Sequence, residues 1–193
     1  MESKIANTLA EAERIGAILA KEDVPVLIIG AIALAAHHFI RSTKDVDLGG
    51  NIDLKKLKHI HKLLQNSGYQ AELHLPDLQD SLGGLIDIEG PFGLVQIVNF
   101  GDRFPAAIED SLSQQDKHNS SITTLAIAPL PLLIALKLYA GSWKSLADVT
   151  ELLRRNPDAD LEAIGKICRK YRLRGWKQVM NELQGECDCT HRH

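Results

Sequence analysis

At 193 residues, 45% hydrophobic and 24% charged, the chain has the size and composition of an ordinary globular protein with one substantial core, or one core and a small appended lobe. A net charge of −3 argues against a surface that grips nucleic acid all over by counterion release, and no apolar run is long enough to span a bilayer. The charged, amphipathic opening "MESKIANTLAEAERIG" lacks the apolar centre of a signal peptide, and the three cysteines crowd late in the chain at Cys168, Cys187 and Cys189, so a cytoplasmic, reducing setting is expected.

Ile5, Leu9, Ala12, Ile15 and Leu19 recur at helical spacing, which predicts an amphipathic helix over 3–21. "VPVLII", 24–29, is short, apolar and rich in β-branched residues, hence a buried strand. It runs into Gly30 and the alanine-rich "AIALAAHH", a short buried helix. "DVDL" is a second strand, whose period of two puts Asp45 and Asp47 on one face and Val46 and Leu48 on the other.

Leu54, Leu57, Ile60, Leu63 and Leu64 form one stripe of a helix that stops at Gly68. "YQAELHL" reads as a strand. "LIDIE" and "LVQIVNF", separated by "GPFG", read as a hairpin. Beyond Pro105 the pattern is helical except for an extended piece at "SSITTLAIA": a proline-started helix closed by Gly141, then helices near 144–155, 160–172 and 175–184. The expected organisation is an α/β unit over 1–120, a helical lobe over 121–185 and a flexible tail over 186–193. Between Lys144 and Lys177 nine Lys/Arg stand against five Asp/Glu, a local +4 that is either a polyanion surface or the solvated faces of helices.

Two carboxylates on one face of a strand end, about 7 Å apart by strand rise, repel one another unless solvated or bound to a cation. Mg²⁺ typically takes one or two carboxylates and completes its shell with substrate phosphates and water. Alone, D-x-D is a weak signal that also fits a solvated strand end. Beside it, however, Gly30 and Ala31 open a helix whose free N–H groups suit a phosphate.

The segment "LIIGAIALAAHHFIRSTKDVDL" resembles the signature of the DNA polymerase β-type nucleotidyltransferase superfamily: a glycine turn, a short helix, an Arg-x-Thr step and a D-x-D strand. "LLIALKLYAGSWKSLADVTELL" resembles the second signature of its minimal branch, which includes nucleotidyltransferase-like toxins of toxin–antitoxin and abortive-infection systems. The resemblance implies a small mixed sheet with flanking helices and a C-terminal helical lobe, an α/β (α+β) fold. It implies that Gly30 and the backbone of Ala31 cradle an NTP, that Asp45 and Asp47 hold two Mg²⁺ ions, and that Arg41 and Thr43 lie next to the phosphates. Lys137 and Asp148 match the Lys and Asp of the second signature, and on their own would pass as an ordinary helix-surface Lys and helix-start Asp. The implied activity is transfer of a nucleoside monophosphate to a hydroxyl of RNA, protein or a small molecule. The toxin-like relatives make RNA or protein the more natural acceptor and an antitoxin a partner.

The chain departs from the family pattern twice. Ala31 replaces the usual second Gly or Ser of the turn, and Gln96 occupies the place of the third carboxylate. A neutral amide binds a hard cation weakly and is no general base. If "GPFG" is the turn, Asp87 faces Gln96 across the hairpin and returns a carboxylate to that neighbourhood. A shift of one residue removes it. The alternative is a degenerate member that binds nucleotide or a partner without catalysis. His37 and His38 end the short helix and are read as helix-end residues, and His59 and His61, two apart, as exposed. The tail "CDCTHRH" offers Cys187, Cys189, His191 and His193 as soft ligands, crowded more tightly than a structural zinc site usually places them.

Overall fold

The computed structural model describes residues 2–76, 81–113 and 123–189. Helix α1 (Glu2–Lys21) leads into β1 (Val26–Ile29), and the chain turns directly into α2 (Gly30–Ala36). Then follow β2 (Asp45–Gly50), α3 (Leu54–Asn66) and β3 (Gln70–His74). The hairpin β4 (Leu85–Gly90) and β5 (Gly93–Asn99) precedes α4 (Pro105–Ser113), the short β6 (Ala126–Ile127), and the helices α5 (Leu130–Ala140), α6 (Trp143–Arg155), α7 (Leu161–Lys170) and α8 (Trp176–Cys189).

The described strands form one mixed sheet in the order β3-β4-β5-β2-β1-β6. β2 runs parallel to β5 and β1 parallel to β6, while the remaining neighbours are antiparallel. β1 is buried along its whole length, as its unbroken apolar run requires. β2, β4 and β5 alternate instead. Val46, Leu48, Ile86, Ile88, Val95 and Ile97 are fully buried on one face, whereas Asp45, Asp47, Asp87 and Gln96 stand on the other with partial exposure.

Helix α1 covers the apolar face. Its Thr8 hydroxyl bonds the Phe92 carbonyl, and a Cβ at Gly93, on the Val95 side of β5, would meet that same hydroxyl. Helix α3 packs on β3, started by the Asp53 side chain accepting from Lys56 N at 2.8 Å. Among the described residues, α5 meets the Asp47 face near Ile29, Asp47 and Val98, while toward β4 and β3 Glu72, His74 and Glu89 are exposed.

Proline at the first turn of α5 and Gly141 at its end, with φ +64°, delimit that helix as expected. α5 is apolar all round because α4, α6 and α7 surround it. Apolar residues of both halves of the chain belong to one core cluster, from Ala12 on α1 to Val179 on α8. At its edge Phe104 stacks on Tyr139 at 4.3 Å, Tyr171 donates to Asp110, and Lys170 pairs with Asp110 at 2.6 Å. Helix α8 continues to Cys189, so its backbone covers residues 186–189 of the expected tail; the rest of that segment, and the ligand set Cys187, Cys189, His191 and His193, lie outside the described residues or side chains. No described helix is long and apolar enough to cross a membrane.

Candidate active site

The turn from β1 into α2 sets the geometry. Gly30 has φ +66°, and a Cβ built on it would lie 1.7 Å from Asp47 Oδ2, so only glycine lets the Asp47 carboxylate sit against the turn. The register places it there: Ile29, the residue before Gly30, is the direct partner of Asp47. A cleft of about 220 Å³ opens at this point, lined by Gly30, Asp47, Lys137 and Ser145 and by apolar groups such as Leu136 and Phe100.

Burial and the nearby Asp45 carboxylate push the Asp47 carboxyl up to about 6, against the opposing pull of the Lys137 ammonium. Two hard oxygen donors that repel each other in a half-dry cleft match the donor chemistry of a divalent cation. Among the described residues no three His, Cys, Asp or Glu side chains cluster closely enough to enclose one. The set therefore fits Mg²⁺ held by two carboxylates with substrate phosphates and water as its remaining ligands.

Lys137 and Asp148, distant in sequence from the D-x-D strand, arrive here because α5 and α6 pack on each other. Lys137 Nζ donates to Asp148 Oδ2 at 2.9 Å, and Arg41 donates from one guanidinium nitrogen to both Asp148 oxygens at 2.8 Å. Asp148 is buried, with 7% of its side chain exposed, and serves as the common anion of two cations. Asp47, Lys137, Asp148 and Arg41 thus form one continuous charged chain.

The other residues of the turn and loop do not all face this cleft. Ala31, Arg41 and Thr43 line a separate groove of about 930 Å³ between α1 and α2, floored by alanines. Thr43 accepts from the Asp45 amide at 3.2 Å and so shapes the entry to β2. His37 caps the end of α2, as expected, and its ring N–H also donates to the Ala128 carbonyl at 2.8 Å, while His38 takes a left-handed conformation with φ +65°. His59 is exposed and pairs with Glu22, and His61 is half-buried against the Ala71 carbonyl.

The hairpin has the expected register. Glu89 faces Leu94, Ile88 faces Val95 and Asp87 faces Gln96. Since Asp47 faces Gln96 on the other side of β5, one row crosses the sheet as Asp47, Gln96, Asp87 and Glu72. Gln96 Nε2 donates to Asp87 Oδ1 at 2.7 Å. His74 Nε2 donates to Asp87 Oδ2 at 3.1 Å, a contact without any signal in the sequence because His74 lies beyond a long loop from β4.

No protein-family model and no curated protein sequence matches the chain. By structure it resembles ANT(2")-Ia in complex with adenylyl-2"-tobramycin, with a TM-score of 0.56 at 14% identity over 85% of this chain and 96% of that one. It also resembles the solution structure of the antibiotic-resistance factor ANT(2'')-Ia, with a TM-score of 0.51 at 15% identity over 97% of both chains. The fold is that of the nucleotidyltransferases. An antigenic nucleotidyltransferase-like protein from Paracoccidioides brasiliensis is more distant, at 16% identity, 81% of this chain, 77% of that one and a TM-score of 0.47.

Proposed function

We propose that this protein transfers a nucleoside monophosphate from an NTP to a hydroxyl of a cationic small molecule, in a Mg²⁺-dependent reaction. The observation that carries the reading is the Asp47 carboxylate seated against the Gly30 turn, beside Asp45 and within the field of Lys137.

In this reading Asp45 and Asp47 hold the metal. Bound there, Mg²⁺ supplies the positive charge that neutralises the triphosphate and acidifies the attacking hydroxyl. Gly30 leaves room for the Asp47 carboxylate, and the amide of Ala31 follows it. Lys137 offers its ammonium to phosphate oxygens while Asp148 fixes its position and that of Arg41. Thr43 sets the entry to the metal-binding strand, and Asp87 is the carboxylate nearest the family's lost third acid.

Charge supports this acceptor. The open part of the sheet face presents Glu72, Asp87 and Glu89 alongside Asp45 and Asp47. Such a field concentrates cations and repels a phosphodiester chain. An amino sugar, with ammonium groups for the carboxylates and hydroxyls for the chemistry, fits this surface. The toxin-like branch, with an RNA or protein acceptor and an antitoxin partner, is less favoured for the same reason.

The test is pyrophosphate release from each NTP with Mg²⁺ and a panel of amino sugars, polyamine alcohols and RNA. Turnover is expected with a cationic hydroxyl compound and is lost in Asp45→Ala and Asp47→Ala. Metal-independent release, or release equal in both variants, defeats the reading. Gln96 favours a second one, a nucleotide-binding member without catalysis; it predicts NTP binding by calorimetry with no pyrophosphate from any acceptor.

A further inference from the structure

The Gln96–Asp87–His74 chain runs across β5, β4 and β3 from the strand next to Asp47, and neither Gln96 nor His74 has a catalytic part in the reading above. An ionised carboxylate only accepts hydrogen bonds, so both neighbours of Asp87 must donate, Gln96 through its amide at 2.7 Å and His74 through Nε2–H at 3.1 Å. Each Asp87 oxygen therefore has its own donor, from opposite sides, and the carboxylate plane is set by two strands. The His74 contact is not a simple cross-strand pair. Directly opposite Asp87 stands Glu72, a like charge, while His74 is opposite Leu85 and reaches the carboxylate diagonally. Asp87 keeps a quarter of its side-chain surface exposed and His74 nearly half, so the pair is open to a bound molecule.

We propose that His74 is a positioning residue which, with Gln96, holds Asp87 as the proton acceptor for the attacking hydroxyl. The proposal rests on the transfer reading above. The hydroxyl proton passes to an Asp87 oxygen as the hydroxyl oxygen forms its bond to the α-phosphorus. The bond from that phosphorus to the bridging oxygen breaks, and pyrophosphate leaves with the electron pair. The family's acid would act from β5; here the amide on β5 aims an acid on β4.

Two measurements on the full-length protein test this. Long-range ¹H–¹⁵N correlation spectra should show a proton on His74 Nε2, and Asp87→Ala should shift the Nε2 resonance. An Nδ1–H tautomer at His74 overturns the proposal whether or not the protein is active. In pyrophosphate release from ATP with Mg²⁺ and tobramycin, Asp87→Asn should lower kcat by about 10²-fold or more. His74→Ala should lower kcat about tenfold with the KM for ATP unchanged, and His74→Gln, which keeps a donor of similar reach, should recover most of it. The double variant should be no slower than Asp87→Asn alone, because His74 acts only through Asp87. A kcat for His74→Ala within about twofold of wild type, or additive losses in the double variant, overturns the proposal. If wild type releases no pyrophosphate with any acceptor, the transfer reading fails, and the proton-acceptor role of Asp87 falls with it.

Discussion

Asp47 and Gly30 behave as a single unit. The Asp47 carboxyl titrates near 6 because it is crowded by burial and by Asp45, well above the value it has in an unfolded chain. A carboxyl whose folded value is raised binds its proton more tightly when folded. The metal-free protein is therefore most stable, as far as this group is concerned, below about pH 4, and loses that contribution as pH rises through 6, by about 3 kcal/mol in all. Asp47→Asn should remove this slope, leaving the variant more stable than wild type at pH 8 and little different at pH 4, as denaturant titrations at both pH values would show. Mg²⁺ affinity should move the opposite way, weakening below pH 6 as the proton competes for the same oxygens. Gly30→Ala combines a left-handed backbone with a Cβ inside the Asp47 carboxylate, and should cost about 1–3 kcal/mol together with most of the activity. Normal melting with full turnover would contradict the close seating of Asp47.

Between elements, the decisive contact is that of α6 with the loop joining α2 to β2. Asp148 on α6 anchors Arg41 from that loop and Lys137 from α5, in a setting dry enough that removing the anion strands two cations. Asp148→Ala should destabilise the fold by roughly 3 kcal/mol, the lower end of the range for a buried pair because both cations keep some solvent, and should raise the KM for ATP. Unchanged thermal stability would mean that the pairs contribute nothing net.

The elements also show what a single sequence can carry. The β4–β5 register follows from a two-residue turn and a strict period of two, so the meeting of Asp87 and Gln96 is readable in advance. The side of the sheet taken by Asp45 and Asp47 is readable for the same reason. The resemblance to a known family supplies Lys137 and Asp148, though not their mutual contact, which depends on how α5 and α6 pack. His74 is invisible because ten residues separate β3 from β4 and no local rule fixes where such a loop returns. Ala31 and Thr43 are neighbours of the cleft residues in sequence yet line another groove: Ala31 follows Gly30 on a short helix, and Thr43 lies in the irregular loop before β2, where no period holds.

Over the whole molecule, charge is divided. The net charge is small, while the open sheet face collects carboxylates and the segment from Lys144 to Lys177 carries the excess of cations. If the acidic face recruits the acceptor, Glu72→Lys with Glu89→Lys should raise the KM for a cationic acceptor about tenfold, leave the KM for ATP alone and weaken the salt dependence of kcat/KM. Equal KM values for both substrates would place acceptor recognition elsewhere. One apolar cluster links both halves, so this redistribution of charge should leave melting almost unchanged.

The loop between α2 and β2 is bound to α6 along its length. Asn156 donates to the His37 carbonyl at 2.9 Å, Arg155 lies over the Phe39 ring at 5.4 Å, and Arg41 holds Asp148. Irregular backbone of this kind ordinarily exchanges its amides quickly and invites proteases; here its stability is borrowed from a helix more than a hundred residues downstream. A ribosome that has synthesised all the described strands has therefore not yet made a working site. The aspartates exist early, but the segment delivering them to the cleft stays unanchored until α6 is made. The nascent protein should remain inert, and its loop cleavable, until α6 has been made.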